Sequence, residues 1–120
     1  MEIEEERSDS IQTFLQASNR INSRTVSLTR FQILMLLAFF KDGLQYRELK
    51  VALKISDGKL ISNLNLLVGL KYISKFKAQI DNKELDVYVL TNNGEKELEK
   101  MTAWMGFIQK VMQRIGDNNW

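Results

Sequence analysis

The hydrophobic period of the sequence changes at Tyr72, and this change limits the fold more than any other feature. Before it, Leu60, Leu64 and Leu67 recur at steps of four and three residues, which predicts a helix over residues 57–70 with one buried face. After it, YISKFKAQI and ELDVYVLT are two β-prone runs around Asp81-Asn82-Lys83, which predicts a hairpin over residues 72–91. The chain therefore passes directly from a helix into a β-ribbon.

A second helix precedes this pair across a very short connection. YRELKVAL predicts a helix over residues 46–53, and Ser56 can cap the next helix by accepting a backbone N–H. A connection this short sets two helices at a steep angle. Further upstream, residues 28–41 are apolar nearly all round, which predicts a central, buried helix ended by Asp42-Gly43. A helix-turn-helix followed by a hairpin is a winged helix, so the predicted class is mainly α with a small hairpin, α+β.

Both ends of the chain carry amphipathic stripes. Ile11, Phe14 and Leu15 predict a helix from Ser8, and Thr91 can cap a long final helix. We therefore divide the chain into four segments: a disordered acidic N-terminus at 1–7, an N-terminal dimerisation helix and connection at 8–24, the winged helix-turn-helix at 25–93, and a C-terminal dimerisation helix at 94–120.

Cysteine and histidine are absent, and this excludes several classes of function. Zinc sites built from these residues, cysteine nucleophiles and histidine general bases cannot occur. No glycine-rich phosphate loop is visible either. We expect no enzyme activity, no metal and no cofactor.

The charge and hydropathy of the chain limit the classes of partner that it can bind. Setting aside the four glutamates of the first six residues leaves 17 basic against 15 − 4 = 11 acidic residues, a surplus of +6 that permits binding to a polyanion. The longest apolar run has eight residues, Ile33 to Phe40, which is too short to span a bilayer. The acidic N-terminus is unlike a signal peptide. We expect a cytoplasmic protein with no membrane partner.

Motifs spaced over residues 30–100 resemble those of the small archaeal and bacterial winged-helix regulators related to the MarR and ArsR groups. They are R-x-x-I-L at Arg30, Ile33 and Leu34; Y-x-x-L at Tyr46 and Leu49; S-D-G-x-L from Ser56 to Leu60; Leu64, Leu67 and Tyr72-Ile73; and Y-x-L-T-x-x-G at Tyr88, Leu90, Thr91 and Gly94. The resemblance implies a homodimer that binds double-stranded operator DNA. Helix 57–70 would lie in the major groove, and the wing, residues 72–91, against the backbone or minor groove.

On this hypothesis two sets of side chains contact DNA. Polar groups on and beside helix 57–70, the reading helix, can form hydrogen bonds with base edges, since asparagine can pair with adenine and lysine can donate to guanine. These groups are Ser56, Lys59, Ser62, Asn63 and Asn65. Basic groups around them are candidate phosphate contacts: Arg47, Lys50, Lys71, Lys75, Lys77 and Lys83, with Arg24 and Arg30 as further candidates. Each of these residues can equally be a solvated surface group, and lysines on a wing strand can serve only to protect its edge.

The terminal helices suggest a dimer interface. Their apolar stripe is longer than one small core can cover, and such a surface usually marks an interface. The predicted interface residues are Ile11, Phe14, Leu15, Trp104, Met105, Phe107, Ile108, Val111, Met112 and Ile115. Two alternatives remain: the helices can pack only on each other within one chain, or the methionines and aromatic residues can line a pocket for a small-molecule effector. The sequence identifies no ligand.

A second function fits the same fold. The reading helix carries few basic residues, and Lys83 at the wing tip is outnumbered by Asp81, Glu84 and Asp86. These features favour a winged helix used for protein–protein assembly without specific DNA binding. In that case the contacts would come from three aliphatic residues of the helix, Ile61, Leu66 and Val68.

Overall fold

The computed structural model describes the backbone of residues 2–117 and the side chains of residues 10–117. Its elements are α1 (Glu2–Arg20), a 3-10 turn (Ser23–Thr25), α2 (Leu28–Phe39), β1 (Leu44–Gln45), α3 (Tyr46–Leu53), α4 (Asp57–Gly69), β2 (Ile73–Ile80), β3 (Lys83–Leu90) and α5 (Asn92–Gly116). This order confirms the predicted α+β winged helix-turn-helix.

The chain forms two compact units. The winged-helix unit is Ser23–Leu98, and the terminal-helix unit joins Met1–Asn22 to Glu99–Trp120. Of the terminal-helix unit, residues 2–22 and 99–117 are described. The C-terminal boundary lies five residues beyond the predicted 93/94 because α5 continues without a break from one unit into the other.

The sheet has three antiparallel strands in the order β1-β3-β2. Leu44 pairs with Tyr88, and Ile73 pairs with Leu90. Asp81 and Asn82 connect the two long strands at φ 53° and 64°, the left-handed pair of angles that a two-residue type I′ hairpin requires. One face of the sheet and helices α2, α3 and α4 enclose the core, which is Ile33, Leu34, Leu37, Leu44, Leu49, Leu60, Leu64, Leu67, Ile73 and Tyr88.

The start of α5 is packed tightly on the wing. The Thr91 hydroxyl accepts the Gly94 N–H at 3.1 Å, which confirms the predicted cap. A Cβ on Gly94 would overlap the carbonyl oxygen of Tyr72. Glycine is therefore required here so that α5 can approach the first residue of the wing.

The prediction that α2 is buried nearly all round was wrong. Only Ile33, Leu34 and Leu37 of this helix are buried, whereas Leu28 and Phe39 are each 73% exposed. The sheet and the other helices of the winged-helix unit cover one side of α2. The helix therefore has more apolar residues than this one side can bury. The helix also ends at Phe39, before the predicted residue 41, and Gly43 at φ 104° closes the following turn.

The N-terminus also departs from the prediction. Residues 2–7 are helical, so the expectation of disorder there was wrong, while Met1 lies outside the described residues. Glutamate is a good helix former, so a helix through these residues agrees with their composition. Among the described residues, no helix is both long and apolar enough to cross a membrane.

Candidate nucleic-acid interface

The turn between α3 and α4 consists of Lys54, Ile55 and Ser56. Lys54 adopts the left-handed conformation, with φ 55° and ψ 45°, and its N–H still donates to the Lys50 carbonyl. Ser56 is extended, and its hydroxyl accepts the Lys59 N–H at 3.2 Å. Ser56 therefore caps α4 as predicted, and its side-chain oxygen already has one partner.

The outer face of α4 is open. Ser56, Lys59, Ser62 and Asn65 are exposed, so four of the five predicted base contacts lie on the accessible side of the segment. Ile61 is also 48% exposed. The opposite side of α4 is sealed in the core through Leu60, Leu64 and Leu67. An exposed stripe opposite a buried one is the arrangement that a reading helix requires.

Asn63 does not belong to this face, and the prediction that it points outward was wrong. It is 9% exposed. Its Oδ1 accepts a hydrogen bond from Arg30 Nη1 at 3.0 Å, and its Nδ2 donates to the Lys59 carbonyl at 2.8 Å. The residue flanks the inward stripe between Leu60 and Leu64, where the guanidinium of α2 supplies a polar partner. The same contact engages Arg30, whose Nε is buried without a partner among the described residues.

An ionic cluster joins α3 to the first turn of α4. The Tyr46 hydroxyl donates to Asp57 Oδ1 at 2.6 Å, and Lys50 Nζ lies 2.9 Å from Asp57 Oδ2. The hydrogen bond to Asp57 raises the pKa of Tyr46 to about 12. The hydrogen bonds that Asp57 accepts from Tyr46 and Lys50 hold its pKa below the ordinary value.

This cluster changes the role predicted for Lys50. Its ammonium is paired with a carboxylate on the same surface, so it lacks the net charge of a free phosphate contact. The sequence gives no local signal for the pair because Lys50 and Asp57 belong to different helices, seven residues apart. The cluster instead links α3 to the first turn of α4 across the surface of the motif.

The two lysines of β2 lie on the face of the strand that is turned toward the core. Lys75 and Lys77 alternate with Ile73 along β2, so all three share one face of the strand, and Ile73 packs in the core with α4. Both lysines are exposed. Lys77 lies directly across from Asp86 in the ladder, and Lys75 lies across from Tyr88. Of the two lysines of β2, Lys75 is thus the one without a carboxylate as its direct cross-strand neighbour.

Three more predicted phosphate contacts surround α4 and the wing. Arg47 on α3, Lys71 before β2 and Lys83 after the hairpin turn are all exposed. Lys71 is held at φ 65°, and its carbonyl accepts the Thr91 hydroxyl at 2.6 Å, which fixes the backbone where the wing begins.

In the terminal-helix unit, α1 packs on α5 through aromatic rings. Phe14 stacks on Trp104 with ring centroids 6.3 Å apart, and it meets Phe107 edge-on at 6.2 Å. These three residues and Met105 are half-buried. The other six predicted interface residues are 41–57% exposed: Ile11, Leu15, Ile108, Val111, Met112 and Ile115. Both packing within the chain and an uncovered apolar stripe are therefore present.

A cavity of about 240 Å³ lies on the other face of the sheet. It is lined by Asp42, Gly43, Gln45, Glu48, Phe76, Ala78, Ile80 and Val87. Phe76 and Val87 are opposite each other in the ladder, on the face turned away from Ile73 and the core. The two carboxylates of its lining disfavour a nucleic acid there.

The fold and the exposed helix together define a winged helix of the DNA-binding type. The sequence agrees: residues 29–108, two thirds of the chain, match the family described as winged helix DNA-binding domain. The chain belongs to this family, which confirms the winged helix that the sequence predicted. No curated protein matches the chain in sequence.

Several solved structures share the fold. MepR in the MepR–DNA complex of Staphylococcus aureus is 19% identical to this chain, with a TM-score of 0.65. The match covers 98% of this chain and 84% of the MepR chain. The transcriptional regulator Tm0710 of Thermotoga maritima is 19% identical with a TM-score of 0.62, covering 91% and 76%. The adhesin competence repressor AdcR of Streptococcus pyogenes is 21% identical with a TM-score of 0.58, covering 95% and 81%.

Proposed function

We propose that the protein is a homodimeric transcriptional regulator that binds double-stranded DNA, with α4 in the major groove and the wing on the backbone. One observation carries the proposal: α4 buries its leucines in the core while leaving Lys59, Ser62 and Asn65 exposed, beside a β2 strand whose lysines lie on the same side of the sheet. The MepR structure that shares this fold is a complex with DNA, which supports the same role here.

The contacts divide by chemistry. Lys59 and Asn65 can donate to base edges, and Ser56 and Ser62 can donate or accept there, each good bidentate pair being worth roughly 1–3 kcal/mol of discrimination. The exposed cations contact phosphates without regard to sequence: Arg47, Lys71, Lys75, Lys77 and Lys83. Asn63 is excluded from the first set and Lys50 is engaged by Asp57, so neither belongs to the proposal.

The dimer rests on the exposed stripe of the terminal helices. Ile108, Val111, Met112 and Ile115 recur at steps of three, one and three residues along α5 and are all at least 41% exposed. A contiguous apolar stripe of this kind favours a second copy as its cover. Two-fold symmetry would then present two α4 helices to half-sites about 34 Å apart. Light scattering tests this directly, since a protein that stays monomeric at micromolar concentration contradicts it.

A second candidate is a winged helix that assembles with another protein. The acidic wing tip, Asp81, Glu84 and Asp86, favours it because these groups repel phosphates. Of the three aliphatic residues predicted to make such a contact, only Ile61 is exposed, since Leu66 is half-buried and Val68 packs against the core. The hydrophobic part of that prediction therefore reduces to one residue.

A titration of mixed duplex DNA at about 50 and 200 mM salt separates the two candidates. Each phosphate contact contributes roughly −0.9 to the slope of log affinity against log salt concentration. Changing Lys77 to Ala should flatten the slope and weaken all sequences alike. Lys96→Ala, an exposed lysine of α5 outside the proposed interface, is the matched control. Undetectable binding at the lower salt contradicts the regulator proposal.

On this proposal the protein is a regulator and not an enzyme, so none of its residues has a catalytic role. We propose that it acts in the cytoplasm, where the DNA is. No effector is assigned.

A further inference from the structure

We infer that Ile61 reads thymine methyl groups, so that α4 selects half-sites containing A·T pairs. This inference rests on the proposed function and names the class of DNA sequence that the same helix recognises. It adds a residue that was not among the predicted base contacts.

Ile61 is an exposed aliphatic residue on the outer side of α4. The side chain is 48% exposed, whereas the leucines that form the opposite stripe of α4 are buried completely or nearly so. Ser62 and Asn65 share the outer side with it, as do Gly58 and Gly69, neither of which has any atom within 4 Å of an added Cβ. Ile61 is therefore the largest apolar group on a surface otherwise made of small or polar residues. Such a surface can approach the floor of a groove closely.

The chemistry of the major groove supplies a partner for it. Thymine places a C5 methyl group there, which aliphatic side chains can contact, and adenine presents the acceptor and donor pattern that a carboxamide matches. Ile61 and Asn65 are four residues apart, a rise of about 6 Å along the helix, against about 3.4 Å per base step. The two side chains thus reach base pairs within two steps of each other, and together they favour A·T pairs.

The polar groups of the same face agree with this preference. Guanine is best read by arginine or lysine, and Lys59 is the only basic side chain within α4. Ile61 also lies in the first half of this 13-residue helix, the part of a recognition helix that contacts base edges.

The test replaces thymine by deoxyuridine, which removes only the methyl group. Sites are first selected from random duplex DNA, and each thymine of a selected site is then replaced singly. The wild-type protein should bind about fourfold more weakly at one or two of these positions, the factor expected for loss of one buried methyl group. The Ile61→Ala variant should bind thymine and deoxyuridine equally at those positions.

Val51→Ala is the matched control because Val51 is 68% exposed but lies on α3. It should keep the full thymine preference. Selected sites without thymine, unchanged affinity at every deoxyuridine, or an Ile61→Ala variant that retains the wild-type preference would each overturn the inference while leaving DNA binding intact. Failure to bind any duplex at low salt would instead overturn the proposed function, and the inference with it. Far-UV circular dichroism of both variants establishes that each is folded.

Discussion

Asn63 and Asn65 are the same residue type, two positions apart on one helix, yet the structure predicts opposite consequences for replacing them with alanine. Asn63→Ala removes the acceptor of a charged donor, Arg30, a type of bond worth about 1.5–3 kcal/mol, and a second bond to the Lys59 carbonyl worth about 0.5–1.5 kcal/mol. The higher helix propensity of alanine returns about 0.5 kcal/mol. Because Arg30 is only half-buried, water replaces part of the loss, and we expect a net destabilisation of about 2 kcal/mol.

The assay is urea denaturation followed by far-UV circular dichroism, with Asn65→Ala as the control. Asn65 is exposed, so its replacement should change the free energy of unfolding by less than about 0.5 kcal/mol while weakening DNA binding. A double-mutant cycle with Arg30→Ala should give a coupling energy of about 1–2 kcal/mol, since contacting residues are not additive. Equal stability of the two asparagine variants would refute the inward placement of Asn63.

Three further predictions address the packing, the ionic cluster and the dimer. Gly94→Ala should cost about 1–3 kcal/mol of stability because its Cβ overlaps the Tyr72 carbonyl; Gly106→Ala, which meets no atom within 4 Å, should be neutral or stabilising in the same thermal melts. Ultraviolet titration should place the pKa of Tyr46 near 12 in the wild-type protein and nearer 10 in the Asp57→Asn variant. The stabilisation from Tyr46 is then present below pH 10 and is lost as the pH rises through the folded-state pKa of Tyr46. The stabilisation from Asp57 is lost as the pH falls through the lowered pKa of Asp57. Met112→Glu should convert dimer to monomer in light scattering, and a variant that stays dimeric contradicts the proposed interface.

The order of elements in the winged-helix unit was predictable because its signals are local. The change of period at Tyr72, the cap at Ser56 and the turn at Asp81-Asn82 each depend on residues within one or two turns of each other. These signals placed α3 at 46–53 and the wing within 72–91, where the structure has them.

The contacts that the sequence did not predict share a different cause, which is a partner distant in sequence or in another element. Asn63 faces inward because Arg30, 33 residues away, donates to it. Lys50 is engaged because Asp57 begins the next helix. A helical wheel treats both as outward polar residues, since it contains the chemistry of one helix only. The same holds for Ile61, Leu66 and Val68, of which the wheel does not show that only Ile61 is exposed.

The most direct test of the central claim is a site-specific cross-link between α4 and the major groove. The chain has no cysteine, so Ser62→Cys provides a single thiol on the exposed face of α4, and Gln32→Cys provides one on the exposed side of α2. Each variant is mixed with a selected duplex that carries a disulfide tether on a cytosine N4 in the major groove. We expect a cross-link to Ser62→Cys and none to Gln32→Cys; cross-linking of both to the same extent, or of the α2 position alone, would contradict the placement of α4 in the major groove.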